Sequence, residues 1–136
     1  MLAIVDTGPL YAVADEDDDD HLPCLAVMER ADLDLVLPAL VVAEASYLIG
    51  TRLGARAEAT FLRGLTTLEV EGPERDDWPA IAGLVERYAD YPLGGTDASV
   101  AVLADRLGTD LIISLDHRHF GVLRSGSGRP YRLLPD

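Results

Sequence analysis

The sequence contains no lysine, and all eleven of its basic residues are arginines. That absence excludes every mechanism that needs a lysine amine. Cysteine is almost missing as well. The lone Cys24, inside the helix-like stretch HLPCLAVMER, permits no internal disulfide framework, fits a reducing compartment, and reads as a small core hydrophobe. Long hydrophobic runs are also lacking: although 49% of the residues are hydrophobic, no uncharged apolar stretch approaches the ~20 residues needed to cross a bilayer. The N-terminus has no basic region followed by a secretory apolar segment, so a cytoplasmic protein without a membrane partner is expected. Positive charge is scarce, with 24 acidic residues against 11 arginines and a net charge of −13. This balance argues against a general polyanion binder with a broad basic field. It leaves room for local contacts, because Arg118, Arg124, Arg129 and Arg132 face only Asp136 in residues 117–136, and the arginine fork suits phosphate. That segment is expected to form a phosphate-facing edge.

A chain of 136 residues suffices for one compact domain, here taken as residues 1–136, that buries roughly two-thirds of its unfolded surface. LAIV, apolar and partly β-branched, predicts a first strand buried on both faces. GPLYAVA predicts a short helix, and the charged run DEDDDD a solvated loop capping the next helix, HLPCLAVMERAD. An extra cation site or a repulsive gate is the other reading of that run. LDLVL reads as a second strand, PALVVAEASYLIGTRLG as a helix stopped by Gly54, and ARAEATFLRGL as another helix. TTLEV reads as a third strand. PERDDWPAIAGLVERYADY predicts a long amphipathic helix whose Trp78, Ile81, Leu84, Val85 and Tyr88 share a face for core or dimer packing. TDASVAVLADRLG reads as a helix with Thr96 as its cap, DLIISLD as a fourth strand and YRLLP as a fifth. Strands alternating with helices imply an α/β fold with a mainly parallel five-stranded sheet.

In such a sheet, ligands bind outside the carboxyl ends of the strands. Asp6 closes the first strand and Asp116 follows the fourth, so both belong to one edge. Glu44 lies within LVVAEASYLI, a helix that reads as fully buried, where an acid needs a partner. Asp97 opens the helix DASVAVLA. Taken singly, Asp97 also reads as a first-turn acid favoured by the helix dipole, and Asp116 as a turn cap. Together, crowded carboxylates repel unless protonated or joined by a cation. Oxygen ligands suit Mg²⁺ or Mn²⁺, and no Cys/His arrangement suggests a zinc site. The chemistry implied is phosphoester hydrolysis. Receiver domains and dehalogenase-like phosphatases also end their first strand in Asp but rely on a lysine. No GxxxxGK[ST] loop is present. The triplet DTG occurs once, without the second copy or the β-rich pattern of aspartic proteases.

Four stretches in this order and spacing, IVDTGPL, VVAEASYLIGTRLG, GGTDASVAVLADRLGTDLIISLD and DHRHF, make the whole chain similar to PIN-domain proteins. Within that family the chain specifically resembles the VapC toxin ribonucleases of type II toxin–antitoxin systems. The resemblance implies an α/β/α sandwich with strand order 3-2-1-4-5 and a Mg²⁺- or Mn²⁺-dependent endoribonuclease. Position by position, it implies Asp6 and Asp97 as the surest metal ligands, Glu44 and Asp116 completing the site or positioning water, and supporting hydroxyls at Thr7 and Thr96. Gly8-Pro9 stands where that family commonly has small polar residues. The resemblance also implies a homodimer neutralised by a VapB-like antitoxin that offers a basic side chain to the acidic pocket, and a structured RNA substrate, either a tRNA stem-loop or the sarcin–ricin loop. DHRHF and the general layout are similar to mycobacterial members, some of which cut that ribosomal loop. Arg118, Arg124 and Arg129 are the candidate RNA contacts. His117 and His119 read as surface-turn residues or as groups touching RNA or the leaving group. The alternative to an enzyme is a PIN-like module that only binds protein or RNA.

Overall fold

The computed structural model describes residues 1–136. In chain order its elements are β1 (Leu2–Val5), α1 (Thr7–Ala14), α2 (His21–Met28), β2 (Asp34–Pro38), α3 (Ala39–Leu53), α4 (Ala55–Gly64), a 3-10 turn (Leu65–Thr67), β3 (Glu69–Glu71), α5 (Asp77–Arg87), α6 (Gly95–Leu107), β4 (Leu111–Ile113), α7 (His117–Val122) and β5 (Arg132–Leu134). The strands form one sheet in the order β3-β2-β1-β4-β5. Every neighbouring pair is parallel, so the sheet is wholly and not just mainly parallel.

Apolar runs explain the centre. Ala3, Ile4, Val5, Ile112 and Ile113 are fully buried, and because successive strand residues point to opposite faces, neither face of β1 or β4 is open to water. Helices therefore cover both. Small side chains let α6 sit close against this layer, with Ala98, Ser99, Val100, Ala101, Leu103 and Ala104 all buried. The helix ends where Gly108 takes the left-handed conformation at φ 74°. Val5 pairs with Ile113, so β1 and β4 finish level, and the strand order reverses between them. The residues that follow each strand leave the sheet at this reversal, where open α/β sheets bind ligands.

Several expectations change. The third strand starts late in TTLEV, at Glu69 and not at Thr66, because the Thr66 and Thr67 hydroxyls donate to the carbonyls of Arg63 and Gly64 at 2.8 and 3.0 Å and hold residues 65–67 in a 3-10 turn. The helix expected from Pro73 starts at Asp77. Arg106 gathers Glu71, Glu74 and Asp77 at 3.5, 3.2 and 3.0 Å and fixes the preceding loop. Along α5, Ile81 is buried and Leu84, Val85 and Tyr88 pack against the core, but Trp78 is half exposed. In the loop after α1, Asp15 and Asp18 accept the N–H groups of Asp17 and Asp20. Asp20 stands at the start of α2 but makes no capping bond. DHRHF is a short helix, not a surface turn, and it is anchored by the fully buried Phe120. No helix is long and apolar enough to cross a membrane.

Candidate active site

The end of β1 delivers Asp6 into a nearly closed setting, with 5% of its surface exposed. Its Oδ2 accepts the hydroxyl of Ser114 at 2.8 Å. Ser114 is itself fully buried, and its Oγ accepts the backbone N–H of Asp116 at 2.9 Å. One hydroxyl thus joins the acids that follow the two central strands. Asp116 then caps α7: Oδ1 accepts the His119 N–H at 2.9 Å, and Oδ2 lies 2.5 Å from His119 Nδ1. The capping reading of Asp116 and its place among the clustered acids hold together: one oxygen caps α7, the other pairs with the His119 ring, and the residue still lines the cleft.

Asp97 arrives from the first turn of α6, where the helix dipole favours an acid. Glu44 arrives from α3, and here the sequence expectation needs correction. That helix is not buried all round: Val41, Ala45 and Ile49 form its buried stripe, whereas Ala43, Glu44 and Tyr47 are exposed. Glu44 therefore needs no buried partner. Asp6, Thr7, Gly8, Glu44, Leu48, Asp97, Leu115 and Asp116 line one cleft of about 450 Å³ at the carboxyl edge of the sheet. Gly8 lies against Leu115 and contributes only backbone to the wall.

The cleft is electrostatically strained. Burial, reinforced by Asp97 and Asp116, raises the Asp6 carboxyl from 3.8 to about 6 against the opposing bond from Ser114. Burial also raises Asp97, with Asp116 adding to the effect and His119 opposing it. A cation would relieve both. Thr7 Oγ1 is buried and has no partner, so this wall of the cleft holds an unsatisfied polar atom, and such atoms call for a ligand or ordered water. Ligand atoms of Asp97, Asp116 and His119 lie within 4.8 Å of one another. Carboxylate oxygens with one imidazole fit a divalent cation.

The remaining candidates separate. Thr7 belongs to the cleft, but Thr96 is not among its lining residues and is not a cap: α6 starts at Gly95, and the Thr96 carbonyl accepts the Ser99 hydroxyl at 2.6 Å. Arg118 stacks over the Tyr91 ring at 5.6 Å, beside His119, which meets the same ring edge-on at 5.5 Å. Arg124 instead turns back on the carbonyls of Gly121 and Leu123. Arg129 and Arg132 line a groove with Met1, Leu2 and Asp110, at the amino ends of β1, β4 and β5, and Arg132 is bound to Asp110 at 2.7 Å. The arginine-rich tail does not form one edge beside the acids. Sequence reasoning missed the bridging role of Ser114, whose only signal is a polar residue directly after the apolar run LII, and the pairing of His119 with Asp116.

The PIN domain family model matches residues 3–123. Over 134 residues the chain is 36% identical to Ribonuclease VapC26 of Mycobacterium tuberculosis, an alignment covering 97% of this chain and 99% of that protein. Among solved structures, VapC20 of Mycobacterium tuberculosis, a sarcin–ricin loop cleaving toxin, aligns with a TM-score of 0.75 and 20% identity over 81% of this chain and 86% of its own. VapBC2 from Rickettsia felis, solved with a DNA fragment from their promoter, aligns with a TM-score of 0.69 and 13% identity over 98% of this chain and 97% of the matched one. At those identities the two structures establish likeness of fold.

Proposed function

Because the chain belongs to the PIN-domain family, as a homologue of its VapC ribonucleases, we propose that it is a toxin endoribonuclease dependent on Mg²⁺ or Mn²⁺. The observation that carries this reading is that acids from four distant points of the chain, Asp6, Glu44, Asp97 and Asp116, line a single cleft at the strand-order reversal. A divalent cation bound there would orient a phosphodiester, make water a stronger nucleophile and stabilise the leaving oxygen. Asp6, Asp97 and Asp116 are the residues that would hold the cation, and Ser114 fixes the oxygens of Asp6 relative to Asp116. Glu44, exposed on α3, is the acid open to bulk solvent and positions the attacking water. Arg118 extends from the rim to meet the RNA, and Arg124 and Arg129 serve only an RNA long enough to wrap the domain. The reaction adds water across one phosphodiester: the water oxygen bonds to phosphorus, the bond to the departing ribose oxygen breaks, and that oxygen takes a proton. The substrate class is a structured RNA, a tRNA stem-loop or the ribosomal loop cut by the VapC20 toxin.

The acidic cleft suits the basic side chain of a VapB-like antitoxin. A second feature supports such a partner: an apolar groove of about 400 Å³ with Leu10, Val13, Met28, Phe61 and Leu65 in its walls offers a seat for an apolar helix. The half-exposed Trp78 supports a homodimer through α5, and the cytoplasm is the compartment in which antitoxin and RNA are met. The whole of residues 1–136 acts as one PIN domain.

Brief expression of the toxin alone, followed by mapping of new RNA 5′ ends, tests activity and identifies the substrate together. Cleavage at discrete sites, abolished by Asp6→Asn or Asp97→Asn in chains that keep their far-UV circular dichroism, is the expected result. Cleavage unchanged in either variant refutes the reading. A purified chain that binds RNA but never cuts it with Mg²⁺ or Mn²⁺ establishes a binding module instead.

A further inference from the structure

The start of α7 builds a reciprocal pair. Asp116 accepts the backbone N–H of His119 on one oxygen at 2.9 Å and faces His119 Nδ1 with the other at 2.5 Å. The first turn of a helix imposes this, since the side chain of its third residue reaches back over the cap. The ring is braced on its other side by the edge-on contact with Tyr91 at 5.5 Å, and the side chain is 22% exposed. From the facing α6, the carboxylate of Asp97 completes a group whose ligand atoms lie within 4.8 Å of one another. The unpartnered Thr7 Oγ1 is a separate sign that the cleft awaits a ligand, because it is a buried hydroxyl on the wall the two aspartates share.

We infer that His119 is a nitrogen ligand to the cation, joining Asp97 and Asp116, and that the site takes Mn²⁺ in preference to Mg²⁺. The inference rests on the metal-dependent reading above and goes beyond an all-carboxylate site. Mg²⁺ prefers oxygen ligands in a near-ideal octahedron and dehydrates reluctantly, whereas first-row transition ions accept imidazole readily. Mn²⁺ shares the carboxylate and water chemistry of Mg²⁺, but as a first-row transition ion it gains more than Mg²⁺ does from an added imidazole. The bracing by Tyr91 matters here because a ring already oriented loses little freedom when it binds. A His119 confined to orienting Asp116 through its hydrogen bond would give a different site, one held by oxygens alone and with no reason to discriminate between the two ions.

The test uses the full-length, untagged chain and Mn²⁺ as the probe. Pulsed electron paramagnetic resonance of bound Mn²⁺ is expected to show the strong ¹⁴N coupling of a directly bound imidazole, and that coupling is lost in His119→Phe, which keeps an aromatic edge against Tyr91 and leaves the cap on Asp116 intact. The same substitution is expected to weaken Mn²⁺ by roughly tenfold or more and Mg²⁺ by less than about twofold. Mn²⁺ bound without directly coupled nitrogen, or coupling that survives in His119→Phe, overturns the assignment. The spectrum of the unaltered chain decides the matter even if the variant folds poorly. If Mn²⁺ binds without nitrogen while RNA cleavage remains metal-dependent, this inference fails alone. If Asp97→Asn leaves Mn²⁺ binding untouched, the metal-site reading fails with it.

Discussion

Replacing Asp6 by Asn should stabilise the metal-free protein while removing its activity, and the two effects have one cause. Burial places this carboxyl where its charged form is disfavoured, raising it from 3.8 to about 6. A folded-state value above the unfolded one means that the native chain binds the proton more tightly. The associated stability is fully present below pH 3.8 and is lost as pH rises through about 6. A displacement of that size corresponds to about 3 kcal/mol at neutral pH. Asparagine is neutral throughout, and its side-chain oxygen can still accept the Ser114 hydroxyl, so Asp6→Asn is expected to gain roughly 2 kcal/mol at pH 7.5 and close to nothing below about pH 4. Urea denaturation in EDTA across this pH range measures the difference. Saturating Mn²⁺ is expected to reverse the order, because only the unaltered chain gains the full linkage energy of binding, about 2.7 kcal/mol at a hundred times the dissociation constant. A variant less stable than the parent at pH 7.5 in EDTA, or a difference that does not vary with pH, refutes the account of a cleft strained by its own charge.

Asp97→Asn is expected to lower RNA cleavage by more than about a hundredfold, with thermal unfolding in EDTA unchanged or slightly raised, as scanning calorimetry and a labelled-RNA assay can measure. Ser114→Ala leaves Asp6 Oδ2 and the Asp116 N–H without their shared hydroxyl, so a loss of about 1–3 kcal/mol is expected in urea. The same variant should raise the Asp6 carboxyl further, visible by NMR titration. Arg106→Ala frees Glu71, Glu74 and Asp77 from a side chain that is 24% exposed. A cost of about 1–2 kcal/mol, diminished in high salt and without effect on cleavage, is the expected signature of a purely structural ion-pair group.

The acids were legible in the sequence because each is tied to an element boundary that local pattern reveals. Asp6 ends an apolar run, Asp97 follows the helix-breaking PLGG, and Asp116 follows a second apolar run. Glu44 stood out as an acid among apolar neighbours, although the reason for its prominence was misread, since α3 is buried along only one stripe. What stayed hidden were relations between strands. Ser114 matters only because Val5 lies level with Ile113, a register that no property of DLIISLD announces. His119 matters only because Asp116 starts a helix and not a turn, and that follows from Phe120 finding the core.

The arginines show the opposite failure, in which residues adjacent in sequence are separated by topology. Arg118 stands at the carboxyl edge, just past β4, but β5 is parallel to β4 and so must start from the amino edge. Between Asp116 and Arg132 the chain therefore travels the full length of the sheet, through α7 and the glycine–serine loop, and the positive charge of residues 118–132 is spread along that path. Arg129 and Arg132 end beside Met1 and Asp110, as the connection rule for parallel strands requires. The same rule that brings Asp6 and Asp116 together thus separates the arginines, leaving Arg118, stacked on Tyr91, as the arginine of this segment that stays next to Asp116 at the carboxyl edge of the sheet.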